Sequence, residues 1–104
     1  MTKTNLVRGM IDDRRVTAIR NDIIEITAKA LSKRIQTTPE TGRMNFASLG
    51  VDSVNAFDIL NEIEKRYSVT LADDFLLIED NPDKAARAID AMLEKRGCPP
   101  GVAP

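Results

Sequence analysis

Three stretches of this chain carry apolar residues at every third or fourth position, and that spacing commits most of it to helices packed on one another. From Asp12 to Gln36 the apolar residues fall at Val16, Ile19, Ile23, Ile26 and Ala30, with Ile24, Ala28, Leu31 and Ile35 widening the stripe. Residues so spaced share one helix face, which must be buried against a neighbour. A second stripe, Ala56, Ile59, Leu60, Ile63 and Tyr67, predicts a helix from Ser53 to Tyr67. The third, Ala85, Ala86, Ile89, Met92 and Leu93, comes with its own punctuation. Asn81 suits an N-cap, Pro82 the first helical position, Asp83 the first turn, and Lys95-Arg96 the last turn before Gly97. Leu71 to Ile78 has room for no more than two turns.

With 4% aromatic residues and no Trp, the core must be built from Ile, Leu, Val, Ala and Met, which suits helix packing better than a sandwich of sheets. The expected fold is therefore all-α, a small irregular four-helix bundle with three long helices and one short one. Residues 37–52 form a long first loop, with Phe46 and Leu49 expected to pin it to the core. Residues 1–11 and 97–104 read as flexible tails, which leaves 12–96 as one domain.

The chain has no histidine, which removes every His-dependent nucleophile pair, general base and metal ligand. Catalysis by this chain alone is not expected. The single cysteine, Cys98, cannot form an intramolecular disulfide and reads as an incidental thiol. No apolar run approaches the roughly 20 residues of a spanning helix, and the N-terminus lacks a signal-peptide pattern, so a cytoplasmic monomer that does not enter membranes is expected. Asp73-Asp74 and Asp80-Asn81-Pro82-Asp83 lack the alternating ligands and central glycine of a calcium loop. Nucleic acid is also an unsuitable partner, because the most distinctive surface is acidic.

That acidity is local. The net charge is −1, yet residues 50–83 hold nine Asp/Glu against two Lys/Arg, whereas residues 1–49 hold five against nine. The acidic segment opens on Leu49-Gly50-Val51-Asp52-Ser53-Val54, which leads directly into the second helix. An Asp-Ser pair alone suits an ordinary N-cap. A helix start also leaves unpaired amides that attract a phosphate, so a phosphorylated adduct on Ser53 would be well placed.

This segment resembles the acyl and peptidyl carrier proteins, whose modified serine follows Asp in a Leu-Gly-x-Asp-Ser-apolar pattern opening the second helix. Glu62-Ile63-Glu64-Lys65-Arg66-Tyr67, Val69-Thr70-Leu71, Asp73-Asp74 and Ala88-Ile89-Asp90 extend the likeness, which covers about residues 14–96. The resemblance implies a covalent 4′-phosphopantetheine arm on Ser53, with Asp52 supporting. It implies attachment from coenzyme A by a separate phosphopantetheinyl transferase. Acyl or aminoacyl groups would then be loaded as thioesters by a further enzyme and passed to synthases or acyltransferases.

For the second helix it implies a partner surface of Val54, Phe57, Asp58, Asn61 and Glu62, continued by Asp73 and Asp74. Core packing of Val54 and Phe57, and a solvated face for the acids including Glu64, are the structural alternatives. Lys65 and Arg66 stand where many carriers of fatty-acid synthesis have acids, and Asn61 where an apolar residue is common. Together with the near-neutral charge, these differences point to a specialised fatty acid, polyketide or peptide pathway. The competing function is an unmodified helical adaptor that binds basic partners through its acidic face.

Overall fold

The computed structural model describes the backbone of residues 2–97 and the side chains of residues 14–95. Six helices follow in order: α1 Thr2–Leu31, α2 Pro39–Gly42, α3 Phe46–Leu49, α4 Ser53–Tyr67, α5 Phe75–Ile78 and α6 Pro82–Gly97. Strands are absent among the described residues. α1 packs against both α6 and α4, so the three long helices enclose the core while the short ones edge it. Ile23, Ile59, Ile63, Ala85, Ala86 and Ile89 are fully buried there. Burying one Ile side chain stabilises by about 1.5–3 kcal/mol, so this cluster supplies the main force that holds the helices together.

The ends of α1 differ from those expected. The helix begins at Thr2 rather than Asp12, so residues 2–11 extend it where a tail was expected. It stops at Leu31, five residues before Gln36, because Ser32 turns left-handed at φ 53°. There the Ser32 amide donates to the Lys29 carbonyl at 3.1 Å and the Lys33 amide to the Ala28 carbonyl at 3.0 Å. These bonds close the helix as a glycine would in the common C-terminal motif. Ile35 continues the apolar stripe from the loop, half-buried against the core.

The long first loop holds two single-turn helices. Thr38 caps α2, its Oγ1 accepting from the Thr41 amide at 3.2 Å, with Pro39 at the first helical position. Gly42 passes so close to α1 that a Cβ there would lie 2.6 Å from Cδ of the buried Arg20. In α3, Phe46 and Leu49 are buried as expected. The Phe46 amide donates to the Asp80 carbonyl at 2.8 Å, which ties the loop to the connection before α6.

α4 spans the predicted residues. Its end is closed by Ser68 in the left-handed region, and the Glu64 carboxylate accepts the Leu71 amide at 2.7 Å, fixing the following chain. Only Phe75–Ile78 of the Leu71–Ile78 stretch is helical, after a turn in which the Phe75 amide donates to the Ala72 carbonyl at 3.0 Å. Asn81 caps α6 as expected, Oδ1 accepting from the Lys84 amide at 2.8 Å, and Pro82 is buried at the first position. Cys98 and the rest of the expected C-terminal tail lie outside the described residues.

Two polar ties fix how the long helices face one another. Arg15 on α1 grips Asp90 on α6, NH2 to Oδ1 at 2.6 Å. The Tyr67 hydroxyl on α4 donates to Asp22 on α1, which also lies 3.5 Å from Arg66. Burial raises the Tyr67 pKa well above the ordinary phenol value, and the hydrogen bond to Asp22 raises it further, because both favour the protonated hydroxyl.

Candidate functional site

The chain enters α4 through a turn fixed at three points. Leu49 is buried, Gly50 ends α3 at φ 108°, and the Val51 amide donates back to the Phe46 carbonyl at 3.0 Å. A left-handed φ of that size strains any residue with a Cβ, which explains the glycine. Asp52 follows in extended geometry and caps α4, Oδ1 accepting from the Asn55 amide at 2.8 Å. Ser53 is the first helical residue and is exposed. Its hydroxyl is therefore held at a rigid helix start, at the positive end of the helix dipole, and open to solvent.

A groove of about 580 Å³ runs beside Ser53 between α3, α4 and α5. Its apolar wall includes Phe46, Ala56 and Phe57, and its edge carries Asp52, Asp73 and Asp80. A second groove, of about 950 Å³, lies on the other flank of α4 against the end of α1. Asp58 and Glu62 line it together with Lys29, Lys33, Arg34 and Arg66.

The expected partner residues are thus divided. Phe57 and Asp73 share the first groove with Asp52 and Ser53, whereas Asp58 and Glu62 face the second. Val54, Asn61 and Asp74 are exposed outside both. Val54 and Phe57 are surface residues, 72% and 54% exposed, which removes the core alternative for them. Glu64 leaves the acidic face, because its carboxylate is occupied by the Leu71 amide. Sequence reasoning missed Leu77 and Ile78, which are 81% and 62% exposed on α5. The signal was weak, since a four-residue apolar run does not say which of its members face inward.

These features suit a phosphopantetheine arm. An exposed serine hydroxyl at a helix start can be reached by an external enzyme, the helix end favours a phosphate, and the flanking groove offers an apolar wall. Among the described residues there is no cluster of acids able to hold a metal and no helix long and apolar enough to cross a membrane.

An all-helical bundle with an exposed serine at a helix start is the arrangement found in carrier proteins, which hold intermediates on a prosthetic arm for other enzymes. The chain is a member of the phosphopantetheine attachment site family, whose model matches residues 21–89. The family's cofactor is covalently attached 4′-phosphopantetheine. Among solved structures, the chain is similar to BlmI, a type-II acyl carrier protein from Streptomyces verticillus involved in bleomycin biosynthesis. The TM-score is 0.69 at 26% identity, over 83% of this chain and 96% of that one. No curated protein sequence matches the chain.

Proposed function

We propose that Ser53 carries the arm and that the protein serves as a carrier of acyl or aminoacyl groups in a specialised pathway. The observation that carries this reading is the exposed Ser53 hydroxyl at the first position of α4, directly after the capping Asp52. Ser53 Oγ attacks the β-phosphorus of coenzyme A in the site of a phosphopantetheinyl transferase that binds Mg2+. The new bond is Oγ–P, the bond to adenosine 3′,5′-bisphosphate breaks, and the hydroxyl proton passes to a base of the transferase or to solvent. The bound arm supplies a terminal thiol that holds the cargo as a thioester. Asp52 keeps the helix start in place through its bond to the Asn55 amide and contributes a carboxylate on the residue next to Ser53.

The likeness to a carrier of bleomycin biosynthesis favours a specialised pathway over general fatty-acid synthesis. We read 12–96 as the carrier unit, which contains the matched residues 21–89. A monomer in the cytoplasm, where coenzyme A and synthases are available, fits this role. Partners dock around Ser53 through Val54, Phe57 and Asn61, flanked by Asp58, Glu62, Asp73 and Asp74.

Incubation with coenzyme A, Mg2+ and a broad-specificity transferase should add the mass of one phosphopantetheine. Ser53→Ala should remain folded and gain none. An unchanged mass with several transferases, or loading that persists in Ser53→Ala, would sink the assignment and leave the adaptor reading.

A further inference from the structure

The arm's phosphodiester adds a negative charge where this chain is already acidic. Asp52 precedes Ser53, Asp73 lines the groove beside it, and Lys65 and Arg66 are the only cations of residues 50–83. Both stand in the last turn of α4, about 18 Å along the helix from Ser53. A closer cation comes from a distant part of the sequence, the end of α1.

Lys33 has a fixed root. Its amide bonds the Ala28 carbonyl at 3.0 Å in the turn that terminates α1, directly after the left-handed Ser32. From there its side chain crosses to the turn before Ser53. Nζ lies 3.2 Å, and Cε 3.9 Å, from the point that a Cβ would occupy on Gly50. Glycine thus leaves the space in which the ammonium rests on the turn. Gly50 and Ser53 are three residues apart, a span of at most about 11 Å. The bonds from Oγ out to the phosphate oxygens and a rotation of the flexible lysine stem both shorten that gap.

Among the described residues Lys33 makes no ion pair. Asp58 and Glu62 are its alternative partners across the larger groove, but Lys29 and Arg34 also line that groove and can serve them. From this geometry we infer that Lys33 pairs with the phosphodiester once Ser53 is modified, and so restrains the root of the arm. The inference rests on the attachment reading above. It also gives the basic end of α1 a task that the family motif does not assign. The contact is exposed, so it shifts the equilibrium between held and free arm by about two- to fivefold and fades with salt.

The test uses loaded protein, with mass spectrometry first establishing the loading. In wild type at low salt, the phosphorus-31 resonance should relax as an ordered group, the Lys33 Cε resonance should differ from that of unloaded protein, and both signatures should fade at high salt. Lys33→Gln should abolish the phosphorus signature at low salt and Lys33→Arg should keep it. Arg34→Gln, which removes a neighbouring cation of the same groove, should leave it unchanged. Circular dichroism checks that each variant is helical. Identical phosphorus relaxation in wild type and Lys33→Gln overturns the inference, and so does equal loss in Arg34→Gln, which would indicate only a diffuse field. Failure of wild type to load is a different result, because it removes the attachment reading itself.

Discussion

Asp52 has two roles in this structure, and two substitutions separate them. Its Oδ1 accepts the Asn55 amide at 2.8 Å, and its charge sits at the positive end of α4. Asp52→Ala removes both. Loss of an N-cap costs about 1 kcal/mol, and loss of a carboxylate at an exposed helix N-terminus about 0.3–1 kcal/mol more. A destabilisation of about 1–2 kcal/mol is expected, which lowers Tm by about 5–15 °C in a domain of this size. Asp52→Asn keeps an equivalent capping oxygen and loses only the charge, so it should cost at most about 1 kcal/mol.

Loading by the transferase should rank the same variants differently. If the carboxylate helps to position the serine and Mg2+, both variants lose a charge-assisted contact of about 1.5–3 kcal/mol, and loading slows roughly tenfold to a hundredfold in each. Urea denaturation and the initial rate of mass gain give the two rankings. An Asp52→Ala variant as stable as wild type would refute the cap energetics. An Asp52→Asn variant that loads at the wild-type rate would reduce Asp52 to a cap.

Ile63→Ala and Ile89→Ala should each cost about 2–5 kcal/mol, since both side chains are fully buried, whereas Leu77→Ala, at an 81% exposed site, should stay within about 0.5 kcal/mol of wild type. Chemical denaturation of the three variants checks this, and equal losses at Leu77 and Ile63 would contradict the assigned helix faces. For docking, reversing Asp58 and Glu62 to Lys should slow association with the transferase, most at low ionic strength, while Phe57→Ala should chiefly raise the dissociation rate. Stopped-flow binding at several salt concentrations separates these effects, and an association rate indifferent to both salt and charge reversal would return the acids to a solvated face.

The division of the acidic surface bears on how carrier and enzymes recognise each other. On the docking proposed above, charges on both flanks of α4 would steer encounter over about a Debye length, roughly 8 Å at physiological salt. The apolar side chains nearest Ser53 act only on contact. A partner that engages Phe57 and Leu77 must cover the groove beside Ser53. A partner drawn mainly by Asp58 and Glu62 approaches from the side where Lys33 lies. On the proposed attachment at Ser53, the two flanks would offer a partner two approaches to the arm.

What the sequence determined by itself was local. The apolar periodicity of α4 and α6, the caps at Asp52 and Asn81, and the place of Ser53 at a helix start all depend on residues within a turn or two of one another. Such short-range chemistry acts the same way wherever the helix is placed. The end of α1 was not legible, because a serine in the left-handed region carries none of the signals of a glycine or proline. Packing decided the rest. Val54, Phe57, Leu77 and Ile78 became surface because the three long helices filled the core without them, and periodicity does not count how many faces a bundle can cover. Glu64 became a loop fastener because the chain returns over it seven residues later. Lys33 came to rest beside the turn before Ser53 because α1 stops five residues early and folds its end across Gly50, a juxtaposition of residues 17 apart that only the closed bundle creates.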